Sequence, residues 1–382
     1  MRISRRDLLR RMAAGTAVTA AIGSPLERAL LHAGRATLGE AGTPRFLMRL
    51  DRNHNPYGPS NRVIAAMTDA VNAANIDSEE DVEALRARIA DEHGVTPQQV
   101  VVGNGSGSIL RLAIDTFAER GQPIVTAAPT FELIADHARR AAREVIEIPL
   151  CADGCHDLDA MLARGTALKA GLVYICNPNN PTGTLTRWRD LEVFLTKLPA
   201  SVHVVIDEAY HHYVDDASDY RSFIGSGAFS SRVIVTRSFS KIHGLAGLRI
   251  GYAIAQSETT ARIARRPSLA APNLIAARAA IAALDDGDYV RASRMRNTDD
   301  RQDFFNQANA RMLRWLDSQA NFVMLLTNGS PEAVIEHFAG NRIALPHPIP
   351  PLNQYIRVSL GTPTQMQEFW RVWDLMPHKH QM

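Results

Sequence analysis

One lysine in this chain has neighbours suited to covalent chemistry beside a phosphate. Lys241 follows the apolar segment 232–236, with Ser238 and Ser240 just before it and Arg249 a few residues after it. Two hydroxyls and a guanidinium bind a phosphate dianion well, and a lysine amine can form an imine with an aldehyde. An isolated lysine is usually a solvated surface residue, but the hydroxyls and glycines around this one argue against that interpretation. The pattern therefore indicates an imine beside a bound phosphate.

Polar residues also follow two other apolar segments. The segment 202–206 ends in Asp207, with Tyr210 in the same turn, and the segment 171–176 ends in Asn177. A carboxylate can pair with a protonated pyridine nitrogen, and an amide or a phenol can donate to a phenolic oxygen. An acid after a strand is as often a helix N-cap. The rigid turn that Asn177 opens, Asn-Pro-Asn-Asn-Pro-Thr-Gly, rarely arises by chance and favours a functional interpretation.

Two more segment ends offer a phosphate cradle and a flat ring. The segment 100–102 opens into the glycine-rich turn 103–108 before a helix, where backbone N–H groups at the helix start would bind an anion. Phe131, after the segment 123–127, is placed to stack on a pyridine ring, and a core aromatic is the alternative. Together with the lysine, the carboxylate and the donors, these features meet the requirements of pyridoxal 5′-phosphate (PLP). The sequence therefore predicts a PLP site and no metal site.

These residues need a sheet whose strand ends meet at one edge. The almost wholly apolar segments that predict its strands are 100–102, 123–127, 144–148, 171–176, 202–206, 232–236 and 249–254. Such segments are typical of strands buried on both faces, and helical stretches separate them. We predict an α/β fold with a mainly parallel seven-stranded sheet in a three-layer large domain, 60–286. A smaller α+β domain would comprise residues 287–382 and an N-terminal arm, 44–59.

The overall composition is that of an ordinary globular protein. The chain has 382 residues, of which 46% are hydrophobic and 21% charged, and its formal net charge is +2. Charges of both signs are mixed along the chain, which argues against a nucleic-acid-binding surface. No apolar run reaches the length of a transmembrane helix, so we expect no stable membrane insertion.

The N-terminus is typical of a bacterial twin-arginine export signal. Arg5 and Arg6 precede a weakly hydrophobic stretch, 12–23, which is too short and too rich in small residues to span a membrane. We therefore predict a signal and linker over residues 1–40 and export to the periplasm. The alternative is an amphipathic basic helix on a cytoplasmic protein.

Three cysteines are too few for a disulfide scaffold. Cys176 ends a predicted strand and is expected to be buried, whereas Cys151 and Cys155 lie in a predicted turn. These two are either ordinary thiols or, in an oxidising compartment, a small disulfide. No second pair of ligands lies at a spacing suited to zinc.

The order of these motifs resembles that of the class I/II aminotransferases of fold type I, and within them the histidinol-phosphate aminotransferases. The resemblance covers residues 50–362. It includes an N-terminal signature, Asn-His-Asn-Pro-Tyr-Gly-Pro-Ser at 53–60, and C-terminal signatures at 318–322 and 357–362. It implies PLP-dependent transfer of an amino group between an amino acid, or histidinol phosphate, and a 2-oxo acid.

The resemblance also implies a role for each candidate residue. Lys241 would form the Schiff base and shuttle the proton, and Arg357 would bind the substrate together with Asn177. Tyr57 would reach the phosphate of the other subunit, which implies a homodimer with shared active sites. The residues implied for catalysis are Lys241, Asp207 and Tyr210. Those implied to contact the cofactor are Lys241, Asp207, Asn177, Tyr210, Ser238, Ser240, Arg249, Ser106, Gly107, Phe131 and Tyr57.

Several positions depart from the pattern of the histidinol-phosphate subgroup. Gly107 stands where an Asp-Glu pair commonly begins, His54 replaces a glutamate, and Phe131 replaces the stacking tyrosine. Leu345 stands where an arginine binds the substrate phosphate, and Arg342 precedes that position by three residues. Because an arginine that grips a phosphate contributes much affinity, we expect an amino acid with an apolar or aromatic side chain to be preferred over histidinol phosphate. Leu345 would add an apolar wall.

Two other functions would use the same residues. A PLP-dependent lyase or racemase would share every cofactor contact, so the sequence does not separate it from an aminotransferase. A PLP-binding protein without turnover belongs to another class. Lys241, Asp207 and Arg357 together argue against it, because a non-catalytic protein has no need of all three.

Overall fold

Short strands and helices alternate through most of the chain. The structure, a computed structural model, describes residues 48–119, 121–215, 219–226, 229–266 and 270–376. In chain order its strands are β1 (Met48–Arg49), β2 (Val100–Gly103), β3 (Ile124–Ala128), β4 (Val145–Pro149), β5 (Leu172–Cys176), β6 (His203–Asp207), β7 (Val233–Ser238), β8 (Gly251–Ile254), β9 (Phe322–Leu326), β10 (Ile343–Ala344) and β11 (Tyr355–Ser359). The predicted export signal lies outside the described residues.

Helices connect most of these strands. They are α1 (Asn61–Val71), α2 (Glu79–His93), α3 (Ser106–Phe117), α4 (Leu133–Arg140), α5 (Leu158–Ala167), α6 (Trp188–Lys197), α7 (Ser257–Ala264), α8 (Leu274–Leu284), α9 (Gly287–Ala310), α10 (Pro331–Gly340) and α11 (Pro363–Asp374). Short 3₁₀ helices lie at Pro97–Gln99, His211–Tyr213 and Ala246–Leu248. Within the described ranges, no helix combines the length and the apolar character needed to cross a membrane.

The predicted seven-stranded sheet is confirmed. Its strand order is β2-β8-β7-β6-β5-β3-β4, and β8 runs antiparallel to both of its neighbours while the other pairs are parallel. The central strands are buried on both faces, as their apolar composition predicts. In β6, Val204 and Ile206 pack into one core with Phe194, and Val205 packs into another with Ile109. Because side chains alternate along a strand, one apolar strand supplies both cores of a three-layer α/β fold.

Three neighbouring parallel strands bring the candidate residues to one edge of the sheet. In the register of β5, β6 and β7, Cys176 pairs with Asp207, and Asp207 pairs with Thr236. Asn177 is the next residue after β5, and Ser238 is the last residue of β7. The carboxyl ends of these strands therefore form one polar edge, which is where ligands bind in such sheets.

A separate hydrophobic core, here called the second core, lies between the remaining elements. Strands β9 and β11 pair antiparallel, and β1 pairs parallel with β10. Leu50 packs in this core with Phe304, Phe338 and Trp370. The backbone of Leu50 donates to Ala344 O at 2.9 Å and accepts from the Ser359 N–H at 3.0 Å, which fixes the start of the arm that carries the N-terminal signature. The domain boundaries given above stay a prediction.

Candidate active site

The side chain of Lys241 lies in a partly buried position between the N-terminal arm and the end of the sheet. Its Nζ donates to the backbone oxygen of Asn53 at 3.3 Å and lies 5.1 Å from the centre of the Tyr210 ring. Burial lowers the pKa of Lys241 to about 8, and the positive charge of Arg357 acts in the same direction. The amine therefore loses its proton much closer to neutral pH than an ordinary lysine does, as a nucleophilic or proton-accepting amine requires.

Asp207 is buried at the end of β6, where three donors hold its carboxylate. The Tyr174 hydroxyl donates to Oδ2 at 2.9 Å, while the Thr236 hydroxyl and the Ala209 N–H donate to Oδ1 at 3.0 and 3.2 Å. Burial raises the pKa of Asp207, and the hydrogen bonds from Tyr174 and Thr236 oppose that effect. A buried carboxylate fixed in this way suits a protonated ring nitrogen, so Asp207 fits the pyridine end of PLP.

Tyr210 and Asn177 each retain a hydrogen for a ligand. The Tyr210 oxygen accepts from Asn53 Nδ2 at 3.2 Å, which leaves its own proton available, and burial raises the pKa of this phenol. Asn177 Nδ2 donates to Thr186 O at 2.9 Å, while the Thr186 N–H donates to Asn177 Oδ1 at 3.0 Å. The second hydrogen on Asn177 Nδ2 remains free of that pair. Both residues thus fit the phenolic oxygen of PLP.

Arg249 and two serines form one side of an anion site. Arg249 has a left-handed backbone, with φ of 55°, and its Nη1 lies 3.4 Å from the Ser240 Oγ. The Ser238 Oγ accepts from the Ser240 N–H at 3.1 Å. A Cβ built on Gly105 would lie 2.4 Å from Arg249 Nη2, so only glycine allows the guanidinium to occupy this place. The serines and the arginine that lie near Lys241 in the sequence therefore also lie close together in the structure.

The start of α3 forms the other side of the anion site. This helix begins at Ser106 after Gly105, and no side chain caps it. A Cβ on Gly251, in β8, would lie 2.4 Å from Ser106 N, so the helix start is pressed against the sheet. Backbone N–H groups at the first turn of a helix bind phosphate. With Arg249 beside Gly105, the backbone of Ser106 and Gly107 fits the phosphate of PLP.

Arg357, in β11, has a donor that the protein leaves unpaired. Nη1 donates to Asn180 Oδ1 at 2.7 Å and Nη2 to the backbone oxygen of Asp51 at 2.8 Å, whereas Nε is buried without a partner among the described residues. Burial lowers the pKa of this guanidinium. An unsatisfied buried donor costs about 1–3 kcal/mol, which a carboxylate ligand would recover. Arg357 is therefore positioned to bind an anion near Lys241.

Asn53 was missing from the predicted site, although it contacts several of its members. It is buried with φ of 53°, and its backbone N–H donates to Ser359 Oγ at 2.8 Å. Its side chain donates to Tyr210, and its backbone oxygen accepts from Lys241 and from Asn321 Nδ2. Its position in the signature at 53–60 is the sequence feature that could have identified it as a site residue. Asn53 thus connects the N-terminal arm both to the residues around Lys241 and to Ser359 of β11.

Two predicted cofactor contacts have other partners in the single chain. The Tyr57 hydroxyl donates to Asp300 Oδ2 at 2.9 Å, and burial together with Asp300 raises the pKa of Tyr57 to about 12. Phe131 is half-buried and packs against the core that contains Ile109. The contact of Tyr57 with a second subunit and the stacking of Phe131 both stay predictions.

The positions expected to set substrate preference are spread over the N-terminal arm and the second core. Leu345 is buried and packs with Met48 and Leu50, so the apolar wall expected there is first of all part of the core. Arg342 is exposed. The side chain of His54, on the arm, is partly exposed, and its partial burial, followed by the charge of Lys241, lowers its pKa.

The fold and these side chains define a PLP-dependent enzyme of fold type I. Residues 46–372 match the family model for aminotransferase class I and II, and the chain belongs to that family. A histidinol-phosphate aminotransferase of Akkermansia muciniphila is 32% identical over 90% of this chain and 92% of its own length. Histidinol-phosphate aminotransferase 2 of Carboxydothermus hydrogenoformans is 36% identical over 84% of this chain and 88% of its own length.

A solved structure agrees with these relatives. The histidinol-phosphate aminotransferase of Sinorhizobium meliloti, determined in complex with PLP, superimposes with a TM-score of 0.80 at 25% identity, covering 94% of this chain and all of that one. The chain is thus a PLP-dependent aminotransferase. The predictions of the family, the cofactor and the reaction class are confirmed.

Proposed function

We propose that this aminotransferase moves the amino group of a carboxylate-bearing amino acid, with an apolar or aromatic side chain, to a 2-oxo acid. The observation that carries the proposal is the unpaired, buried Nε of Arg357. Its other two nitrogens each donate to a neutral oxygen, of Asn180 and of the Asp51 backbone, and a carboxylate binds a guanidinium more strongly than a neutral oxygen does. A bidentate pair at Arg357 would fix the amino acid next to the amine of Lys241.

The chain's own residues divide the work around the cofactor. When bound, PLP supplies an electron sink for the carbon that loses and regains a proton. Asp207 would hold the ring nitrogen, and Ser238, Ser240 and Arg249 the phosphate. Lys241, with its lowered pKa, is suited to move the proton, because it can be neutral near pH 8 and accept one.

Histidinol phosphate is the second candidate substrate. The relatives favour it, because two histidinol-phosphate aminotransferases are 32% and 36% identical to this chain. A phosphate needs more positive charge than a carboxylate does, yet Leu345 is apolar and buried. Arg52, on the N-terminal arm, and Arg342, just before β10, are both exposed. We therefore rank the amino acid first.

A substrate panel distinguishes the two candidates. We expect kcat/KM with 2-oxoglutarate as acceptor to be at least about tenfold higher for the best of phenylalanine, tyrosine, leucine and histidine than for histidinol phosphate; tenfold corresponds to about 1.4 kcal/mol of transition-state binding. Arg342→Gln should leave the amino-acid values unchanged. If histidinol phosphate wins by tenfold and Arg342→Gln removes that advantage, Arg342 binds a phosphate and the ranking is wrong.

We also propose that the protein acts as a homodimer. A homodimer is typical of this family, and Tyr57 would then exchange its bond to Asp300 for the phosphate of the partner subunit. We propose no nucleic-acid partner and no stable membrane insertion, because the substrates are small molecules and the sites are shared between the two subunits.

We further propose export through the twin-arginine route, on the basis of Arg5, Arg6 and the short apolar stretch after them. A fusion of residues 1–40 to a folded reporter should place the reporter in the periplasm. Arg5→Lys together with Arg6→Lys should keep it in the cytoplasm, because the route reads the arginine pair. Export of the double variant at the unchanged level would exclude this route.

A further inference from the structure

Cys151 and Cys155 lie at the two ends of a closed loop. The Cys151 N–H donates to the Cys155 backbone oxygen at 2.9 Å, and the Gly154 N–H donates to the Cys151 oxygen at 2.9 Å. Gly154 allows the tight return because it has φ of 81°. The hydrogen bond between Cys151 N and Cys155 O limits the separation of the two Cα atoms to about 7 Å, and disulfides span about 4.4–6.8 Å.

The two cysteines lie at the same cavity. Both line a cavity of about 680 Å³, together with Leu162 and Phe194. Cys151 is exposed and Cys155 half-buried, and the Cys155 Sγ donates to Leu185 O at 3.0 Å. Burial, and after it the charge of Asp153, raise the pKa of Cys155 to about 12.

The loop is attached to the segment that holds Asn177. Its Gly154 oxygen accepts from the Thr184 hydroxyl at 2.6 Å. His156, which follows Cys155, bonds to Thr186 Oγ1 through its N–H at 3.2 Å and through Nδ1 at 2.7 Å. Thr186 in turn fixes the amide of Asn177. The conformation of this loop is therefore linked to a residue of the active site.

We propose that Cys151 and Cys155 are a dithiol site that an external disulfide converts to an intramolecular disulfide. With oxidised glutathione, the exposed Cys151 thiolate attacks one sulfur and glutathione thiolate leaves. The Cys155 thiolate then attacks the Cys151 sulfur and displaces the second glutathione. Both cysteine protons are released, the two cysteine sulfurs lose two electrons, and glutathione disulfide gains them.

The raised thiol pKa values set the expected kinetics of this site. Burial, with Asp157 and Asp153, also raises the pKa of Cys151. Because only the thiolate attacks, the bridge should form faster at pH 9 than at pH 7. Thiols of high pKa are also poor leaving groups, so the bridge, once formed, should resist reduction by glutathione.

The test is to incubate the PLP-loaded protein with oxidised glutathione and to count thiols after denaturation. We expect the three titratable thiols of the chain to fall to one. Cys151 and Cys155 share the tryptic peptide 144–164, which should lose two hydrogens and carry no glutathione. Cys176, buried with its Sγ 3.3 Å from Pro178 O, should stay reduced in the peptide 170–187.

Matched variants separate the bridge from ordinary thiol modification. Cys155→Ser should stop at the first step and retain one glutathione on Cys151, whereas Cys176→Ser should still form the bridge. The proposal is overturned if the wild-type protein keeps glutathione on Cys151 beside a free Cys155 thiol, or if all three thiols remain titratable at pH 9.

The bridge should also stabilise the loop. Closing a short loop restricts the unfolded chain, and we expect Tm to rise by roughly 2–5 °C in the oxidised wild-type protein and not in Cys155→Ser. An unchanged Tm in bridged protein would contradict the stabilising role. These readouts do not depend on the substrate, so their failure is distinguishable from failure of the proposed function.

Discussion

Lys241→Ala is expected to lower turnover by at least about a thousandfold while the protein stays folded. The lysine amine both attaches the cofactor and moves the proton, and proton transfer by a positioned base alone contributes roughly 100- to 10,000-fold. Its lowered pKa, from burial and Arg357, fits it for both tasks. The measurement is kcat for the best amino donor, with Tm and PLP content determined on the same preparation.

Two control variants test whether the loss of turnover arises from the lost charge or from the removal of a lysine at any position. Lys241→Arg keeps the positive charge but cannot form an imine, so it should be as inactive as the alanine variant. Lys197→Ala removes an exposed lysine of α6 and should leave kcat unchanged. Wild-type activity in Lys241→Ala would show that the catalytic amine lies elsewhere.

Asp207→Asn is expected to reduce kcat more than tenfold and to leave PLP bound. A neutral amide cannot stabilise a protonated pyridine, and a tenfold loss corresponds to about 1.4 kcal/mol. The new amide nitrogen would also face one of the present donors, Tyr174 or Thr236, because both carboxylate oxygens accept hydrogen bonds. Each lost bond costs about 1–3 kcal/mol of stability, so Tm should fall as well.

Thr236→Val separates the two effects of the asparagine variant. It removes one donor to Asp207 without changing the charge, so it should lower Tm and leave most of kcat intact. A decrease in kcat below tenfold for Asp207→Asn, at full PLP occupancy, would contradict the role assigned to the carboxylate.

The strand ends of the site were accessible from sequence because they depend on local pattern. Asn177, Asp207 and Ser238 each end or follow an apolar run, and parallel strands place their carboxyl ends at one edge in any strand order. The register that pairs Cys176 with Asp207 and Asp207 with Thr236 then brings them side by side. The sequence therefore predicted this part of the site without knowledge of the topology.

The contacts of the N-terminal arm could not be predicted in this way. Asn53 accepts from Lys241, 188 residues away, through a backbone oxygen, which every residue type possesses. Its left-handed conformation and its bonds to Ser359 depend on how the arm crosses the second core. The same holds for Leu345, whose burial follows from packing against Met48 and Leu50 and not from its own segment.

Production of a 2-oxo acid in a single half-reaction tests the central claim most directly. The PLP-loaded protein is mixed with an excess of its best amino donor and no acceptor, and the 2-oxo acid is quantified against the number of Lys241 sites. An aminotransferase should form about one equivalent per site and stop, then resume when a 2-oxo acid acceptor is added. Many equivalents without an acceptor would indicate a lyase that releases a 2-oxo acid, and none with any donor of the panel would indicate a racemase or a binding protein; either result would contradict the account.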